Sequence, residues 1–297
     1  MTQAHDICYA ECNTLYRIEG KAVAGVLYLV PTPIGNLGDI SPRMAQTLAA
    51  VDFIAAEDTR VTAKLLNHLD IQKPMVIYHR HNSRTGGQAV LNRLLAGENC
   101  ALVTDAGTPA ISDPGEELVA LCAQNSVPVI SIPGPCALVA ALAASGLPTG
   151  RFTFEGFLAM NKKNRKNHLD ALRNEERTMI FYEAPHKLPA TLEDLTETFG
   201  PDRPIALCRE LSKLHEEILR TTLGAAAAFY QENTPRGEFV LVVGGGQPVE
   251  EAAPTLEDGA QRVAALRAQG QSHRDAVRQA AKELGLSRSE LYDQTKG

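Results

Sequence analysis

From residue 26 onward, short runs of aliphatic and β-branched residues alternate with stretches whose apolar positions recur every three or four residues. Apolar runs of four to eight residues mark strands and a 3.6-residue period marks amphipathic helices. The pattern therefore predicts an α/β protein with helices covering a mostly parallel sheet. The runs "VLYLV" (26–30), "DFIAAE" (52–57), "MVIY" (75–78), "CALVTD" (100–105) and "VPVISI" (127–132) predict five strands. Helices are predicted at 59–69, 87–97, 114–125 and 136–145, and one more over "SPRMAQTLAAV" (41–51), with Ser41 as N-cap and Pro42 at the first helical position. Five βα repeats assign residues 26–148 to a first α/β domain.

Around "GLPTGR" (146–151) the composition breaks and a second set of elements begins, giving a second α/β domain over 149–246. Strands are predicted at 152–158, 178–183, 204–210, 216–222 and 237–245, with helices at about 165–174, 185–199 and 223–232. The gap between 204–210 and 216–222 is too short for a crossover helix, so a hairpin and a mixed sheet are expected. An acidic linker (247–255) leads to a helical tail (256–297), where Ser272 and Ser287 are candidate N-caps. Residues 1–25 show no clear period and are treated as an N-terminal extension.

Composition narrows the class. A chain of 297 residues with 44% apolar content is ordinary for a globular protein of two domains. No apolar run approaches the ~20 residues that span a bilayer, so no membrane partner is expected. The segment "AVAGVLYLV" (22–30) lacks the flanks of a signal peptide and reads as a first strand. Six scattered cysteines (Cys8, Cys12, Cys100, Cys122, Cys136, Cys208) have no zinc spacing and fit small buried hydrophobes in a reducing, cytoplasmic setting. Net charge is −6, so any polyanion must be gripped by a local basic patch.

Candidate chemistry gathers in three turns that follow strand ends: "TPIGNLGD" (32–39), "DAGTPAISDPG" (105–115) and "PGPCA" (133–137). In an open parallel sheet, ligands bind beyond the carboxyl ends of the strands, so these turns are expected to line one cleft. Neither GxGxxG nor GxxxxGK[ST] is present, which argues against a dinucleotide or nucleoside triphosphate site. A nucleoside without phosphates fits better. Gly35, Gly107 and Gly134 would let backbone approach a planar ligand, and Asp105 and Asp113 can accept from hydroxyls or an ammonium group. Asp113 is open to a second role as cap of a helix beginning at Pro114, and Asp58 can cap the helix after "AAED".

These turns, with "LYLVPTPIGNLGDIS", "AAEDTR", "IPGPCALVAALAASGLP", "FTFEGFL", "IFYEAPHK", "CRELSK" and "GEFVLVV", resemble in order and spacing the small-subunit ribosomal RNA (cytidine 2′-O)-methyltransferase I family of the tetrapyrrole-methylase superfamily. The resemblance covers residues 27 to about 246 and, more weakly, the tail. It implies two α/β domains of the tetrapyrrole-methylase type with S-adenosylmethionine in the cleft between them. It also implies a homodimer and methylation of a ribose 2′-hydroxyl on a decoding-centre cytidine of 16S rRNA, within the small ribosomal subunit. The cofactor contacts it implies are Pro33 and Gly35; Asp105, Ala106, Gly107, Thr108, Pro109, Ser112 and Asp113; Pro133, Gly134 and Ala137; and Tyr182, Glu183 and Leu211. The chain departs from the family at Arg80 in "YHRHN", at Lys187 and at Ser212.

A ribose hydroxyl is a weak nucleophile, so a base or nearby cation is sought among Glu183, His186, Arg209, Glu210 and Lys213. Each has a plainer reading: Arg209 and Glu210 as an ion pair, His186 at a helix start, Lys213 in solvent. "HRH" (79–81) places two histidines on one strand face, but a third ligand is not evident, and no metal is expected. The segment 161–177 concentrates Lys162, Lys163, Arg165 and Lys166 and is the candidate phosphate-binding surface; the tail looks helix-turn-helix-like and adds Arg262, Arg267, Arg274, Arg278, Lys282 and Arg288. Two rival functions share this pattern: a small-molecule methylase of the tetrapyrrole type, and a non-catalytic RNA-binding assembly factor on the same fold.

Overall fold

The computed structural model describes residues 24–246 and 254–296. Strands β1 (Leu27–Leu29), β2 (Phe53–Ala56), β3 (Met75–Ile77), β4 (Cys100–Val103) and β5 (Val129–Ser131) form one wholly parallel sheet in the order β3-β2-β4-β1-β5. Helices α1 (Pro42–Ala50), α2 (Thr59–His68), α3 (Ser83–Leu95), α4 (Glu116–Gln124) and α5 (Ala137–Ser145) follow the strands in turn. Strand alternation decides which helix lies where. Phe53, Ala55, Cys100 and Leu102 face Leu94 of α3 and Leu118 of α4, while Ile54, Ala56, Ala101 and Val103 face Met44 and Leu48 of α1 and Leu66 of α2. All these strand residues are wholly buried, which is why β2 and β4 read as continuous apolar runs.

Helix α1 begins as its sequence predicts, with the Ser41 hydroxyl accepting from the Met44 amide at 3.1 Å and Pro42 next. Asp58 likewise caps α2, accepting from the Arg60 amide at 2.8 Å. Helix α3 starts earlier than predicted, at Ser83 instead of 87, because Gly86 and Gly87 dilute the helical signal. Before it lies a 3-10 turn over Arg80–Asn82, closed by reciprocal bonds between His79 and Asn82. "HRH" is therefore this turn and not a strand face. Asp113 does not cap α4, which begins at Glu116 behind Gly115 with no side-chain cap.

The second sheet holds β6 (Phe152–Phe157), β7 (Thr178–Glu183), β8 (Pro204–Arg209), β9 (Glu217–Thr222) and β10 (Phe239–Val243) in the order β6-β7-β10-β8-β9. Only β6 and β7 are parallel, and β8–β9 is the expected antiparallel pair. Helices α6 (Lys162–Ala171), α7 (Leu188–Phe199) and α8 (Leu223–Glu232) bury Leu169, Leu192 and Ala226 on one face. The other face is covered by α5 of the first half, through Leu138, Ala141 and Leu142 against Ile180, Cys208 and Val240. A helix with no polar side to spare thus joins the two sheets, and both belong to one compact unit ending at Gly245.

The second unit, from Gly246, contains α9 (Leu256–Ala268), α10 (His273–Leu284) and α11 (Arg288–Gln294) around Val263, Leu266, Val277 and Leu291. Ser272 caps α10 through the Asp275 amide at 3.2 Å. Ser287 occupies the N-cap position of α11 without capping it; its hydroxyl meets that of Ser289 instead, at 3.1 Å. The extension with Cys8 and Cys12, and most of the linker, lie outside the described residues. Cys100, Cys122 and Cys208 are buried free thiols and Cys136 is half-buried. Among the described residues no helix is long and apolar enough to cross a membrane.

Candidate active site

Strand order fixes where a ligand can sit. From β1 the chain crosses by α1 to β2 on one side, and from neighbouring β4 it crosses by α4 over the opposite face to β5 on the other. The gap between β1 and β4 is therefore the switch point, where the turns after two adjacent strands diverge and leave a crevice. The three predicted turns meet there. Thr32 and Gly107 exchange backbone hydrogen bonds of 2.9 and 3.0 Å, joining the first turn to the second. The Thr108 hydroxyl donates to the Pro135 carbonyl at 2.8 Å, joining the second to the third. Gly107 has φ +87°, and a side chain there would press on Ile34.

The second sheet closes the crevice. The Leu138 amide, at the start of α5, donates to the Tyr182 hydroxyl at 3.1 Å, and the Tyr182 ring meets those of Phe154 and Phe157 edge-on. Phe154 and Phe157 share a face only because a bulge in β6 between Phe154 and Gly156 shifts the alternation by one residue. The result is a pocket of about 450 Å³ lined by Ile34, Ala106, Gly107, Thr108, Ser112, Asp113, Ala137, Phe157, Tyr182, Glu183, Leu211, Glu238 and Val240, among others. Two strained loops border it: Ala110 and Ser112 hold φ of +67° and +65° after β4, and Glu210 and Ser212 hold +51° and +66° after β8.

Charge in the pocket is mainly carboxylate. Burial pushes Asp113 up to about 6, helped by the nearby Glu57 carboxylate and opposed by Arg80. Arg80 donates to the Ser112 carbonyl, so the residue that departs from the family pattern tethers this loop. Burial likewise raises Glu57 and Asp105. Glu183, at the end of β7, is 4% exposed; one of its oxygens accepts from the Ala184 amide at 2.8 Å and the other from the Thr191 hydroxyl.

The other predicted site residues are distributed around this pocket. Pro33 and Asp105 line a smaller hollow of about 230 Å³ beside α2. Gly35 lies under the Lys213 side chain, Gly134 packs on Pro31, Pro133 is exposed and Pro109 is buried in its turn. His186 is exposed in the 3-10 turn Pro185–Lys187 and faces a second cleft of about 650 Å³ between α6 and α7. Arg209 and Glu210 are not an ion pair. Neighbours at a strand end point to opposite sides, so Arg209 reaches Glu217 at 3.0 Å and Glu210 reaches Lys213 at 2.8 Å. Lys213 is not in open solvent either, since its ammonium also bridges to Glu238 at 3.0 Å. Desolvation works against that charge, yet the two carboxylates hold Lys213 above its ordinary value, and Lys213 holds Glu210 below its own. Neither is suited to take a proton.

Of the basic quartet, Lys162, Lys163 and Lys166 are exposed on α6, and Lys166 pairs with Asp170 at 3.2 Å. Arg165 turns inward to Asp194 and Thr191. Ile34, Cys136, Phe157, Cys208, Glu238 and Val240 were not singled out as site residues by the sequence. "GEFVLVV" and "FTFEGFL" marked their strands, but alternation cannot say which strand end borders a cleft made by a second sheet.

Two stacked halves of this kind, with a pocket at the switch point of a parallel sheet, define a class. The chain belongs to the tetrapyrrole (corrin/porphyrin) methylase family, whose model matches residues 26–227. It is 52% identical over 268 residues to the ribosomal RNA small subunit methyltransferase I of Synechocystis sp., covering 90% of this chain and 96% of that protein. The protein of the same name from Halalkalibacterium halodurans is 46% identical over 272 residues, covering 91% and 94%. Within the tetrapyrrole methylases the chain is thus a member of the ribosomal RNA small subunit methyltransferase I family. Among solved structures it is similar to the uroporphyrin-III C-methyltransferase from Thermus thermophilus complexed with S-adenosylhomocysteine. That likeness has a TM-score of 0.53 at 18% identity, covers 74% of this chain and 97% of that one, and bears on the fold.

Proposed function

We propose that the protein transfers a methyl group from S-adenosylmethionine to small-subunit ribosomal RNA, at the ribose 2′-hydroxyl of a decoding-centre cytidine. The observation that carries this reading is the pocket itself, an apolar crevice with a few converging carboxylates at the switch point. Its volume of about 450 Å³ suits a nucleoside cofactor. Ile34, Ala137, Leu211 and Val240 offer apolar surface for a purine, and Asp113 offers negative charge to a ligand carrying ammonium and sulfonium groups. When bound, that cofactor supplies an electrophilic methyl group. The chain's own task is then orientation and proton removal. Holding a hydroxyl in line with the reacting carbon contributes much of the rate, and the hydroxyl proton must leave as the new bond forms. Glu183 is the group in the pocket placed to take it: its two acceptor bonds to Ala184 and Thr191 leave lone pairs free to face the cavity.

RNA as the substrate is supported by the names of the relatives and by exposed Lys162, Lys163 and Lys166 on α6, which follows directly from the Phe157 end of β6. Calorimetry of S-adenosylmethionine against the full chain is expected to show one binding event per chain. Absence of binding overturns the reading in favour of a non-catalytic RNA-binding role.

A further inference from the structure

One line of hydrogen-bonded side chains runs from the second cleft, between α6 and α7, to Glu183 in the lining of the cofactor pocket. Arg165 lines the cleft from α6 and pairs with Asp194, and its side chain is 14% exposed. Its guanidinium donates to the Thr191 hydroxyl at 2.9 Å, and the Thr191 hydroxyl donates in turn to the Glu183 carboxylate. Thr191 is wholly buried in the second turn of α7.

A helical threonine ordinarily turns its hydroxyl back to the carbonyl four residues earlier, as Thr196 and Thr198 of the same helix do. Thr191 does not; its hydroxyl is given to a carboxylate on another element. The helix gains nothing from this, and burying a hydroxyl is tolerated because both partners are satisfied. The carboxylate gains a fixed orientation. With one oxygen tied to the Ala184 amide and the other to Thr191, Glu183 cannot rotate about its terminal bond without losing a buried bond.

We infer that Thr191, itself oriented by Arg165, is a positioning residue that aims the Glu183 carboxylate into the pocket. The inference rests on the reading of Glu183 as the proton acceptor. Arg165 thereby has a different role from its exposed neighbours Lys162, Lys163 and Lys166: it orders the pocket wall instead of gripping phosphate.

The test uses the full chain with small ribosomal subunits as substrate, measuring kcat, KM for the subunit and the affinity for S-adenosylmethionine. Thr191→Val keeps the shape and removes the hydroxyl. It is expected to lower kcat at least tenfold, with KM and cofactor affinity within threefold, and Thr191→Ser is expected to restore kcat to within threefold. Arg165→Met, which keeps the apolar stem, is expected to lower kcat several-fold without raising KM, and it serves if Thr191→Val does not fold. Parental kcat in Thr191→Val, or a rise in KM alone in Arg165→Met, overturns the inference. Glu183→Gln separates this from the underlying reading: if it is inactive while Thr191→Val is fully active, only the inference fails. Full activity in Glu183→Gln removes the role of Glu183 itself.

Discussion

At the scale of single residues, the environment sorts chemically identical groups into different tasks. Asp105 and Asp113 lie in one sequence motif, yet Asp113 lines the main pocket and Asp105 the smaller hollow. Nothing in "DAGTPAISDPG" distinguishes them, because the difference arises from left-handed backbone at Ala110 and Ser112, which no propensity announces. Asp113 titrates near 6, so cofactor affinity is expected to rise as pH increases from 5 to 7, when its carboxylate ionises and attracts a cationic ligand. Calorimetry at several pH values would show this, and Asp113→Asn is expected to flatten the profile; an unchanged slope in that variant would contradict the assignment. The sign for folding is opposite. A raised carboxyl value means that the native state binds the proton more tightly, so the Asp113 contribution to stability is full below the ordinary carboxylate range and is lost as pH rises through 6. Gly107→Ala, forced to φ +87° against Ile34, is expected to cost about 1 to 2 kcal/mol in a denaturant titration and to weaken cofactor binding. An unchanged midpoint would refute that strain.

At the scale of elements, the strands of the parallel sheet are legible as apolar runs, since a sheet covered on both faces needs such runs, whereas β9, with Ile218 and Leu219 among polar residues, is legible mainly through the short gap that follows β8. What escapes the pattern is local geometry: the start of α3 ahead of a glycine pair, the β6 bulge that brings Phe157 to the pocket, and the capping of α9 by Thr255 and Asp258. Helix α6 was visible as a basic segment, but its inward Arg165 was not, because charge density along a sequence does not show which guanidinium finds a buried partner. Replacing Lys162, Lys163 and Lys166 together by Gln should weaken subunit binding and flatten its salt dependence by about 2 in the log–log slope for single-stranded contacts, leaving cofactor affinity alone. An unaltered slope would place the RNA elsewhere. In the mixed sheet, Leu241→Ala should cost about 2 to 5 kcal/mol, as expected for a wholly buried leucine on a central strand.

At the scale of the whole molecule, two α/β halves and a helical tail were readable from composition breaks, but not the sharing of α5. That helix is apolar nearly all round, and a sequence cannot say which of two sheets will cover it. Since both sheets form one compact unit and the tail another, a chain ending at Gly246 is expected to keep cooperative unfolding and to bind S-adenosylmethionine within about twofold of the full chain, because every pocket residue lies before that point. Loss of folding on truncation would show that the tail is needed for the first unit. Methyl transfer to the ribose of small-subunit RNA can be measured by incubating small subunits from cells lacking this protein with the chain and labelled S-adenosylmethionine, then mapping the label along the RNA. One new ribose 2′-O-methyl group is expected, on a cytidine of the decoding centre, and none when the cofactor is omitted. Label on a base, or no label in the RNA at all, would contradict that expectation.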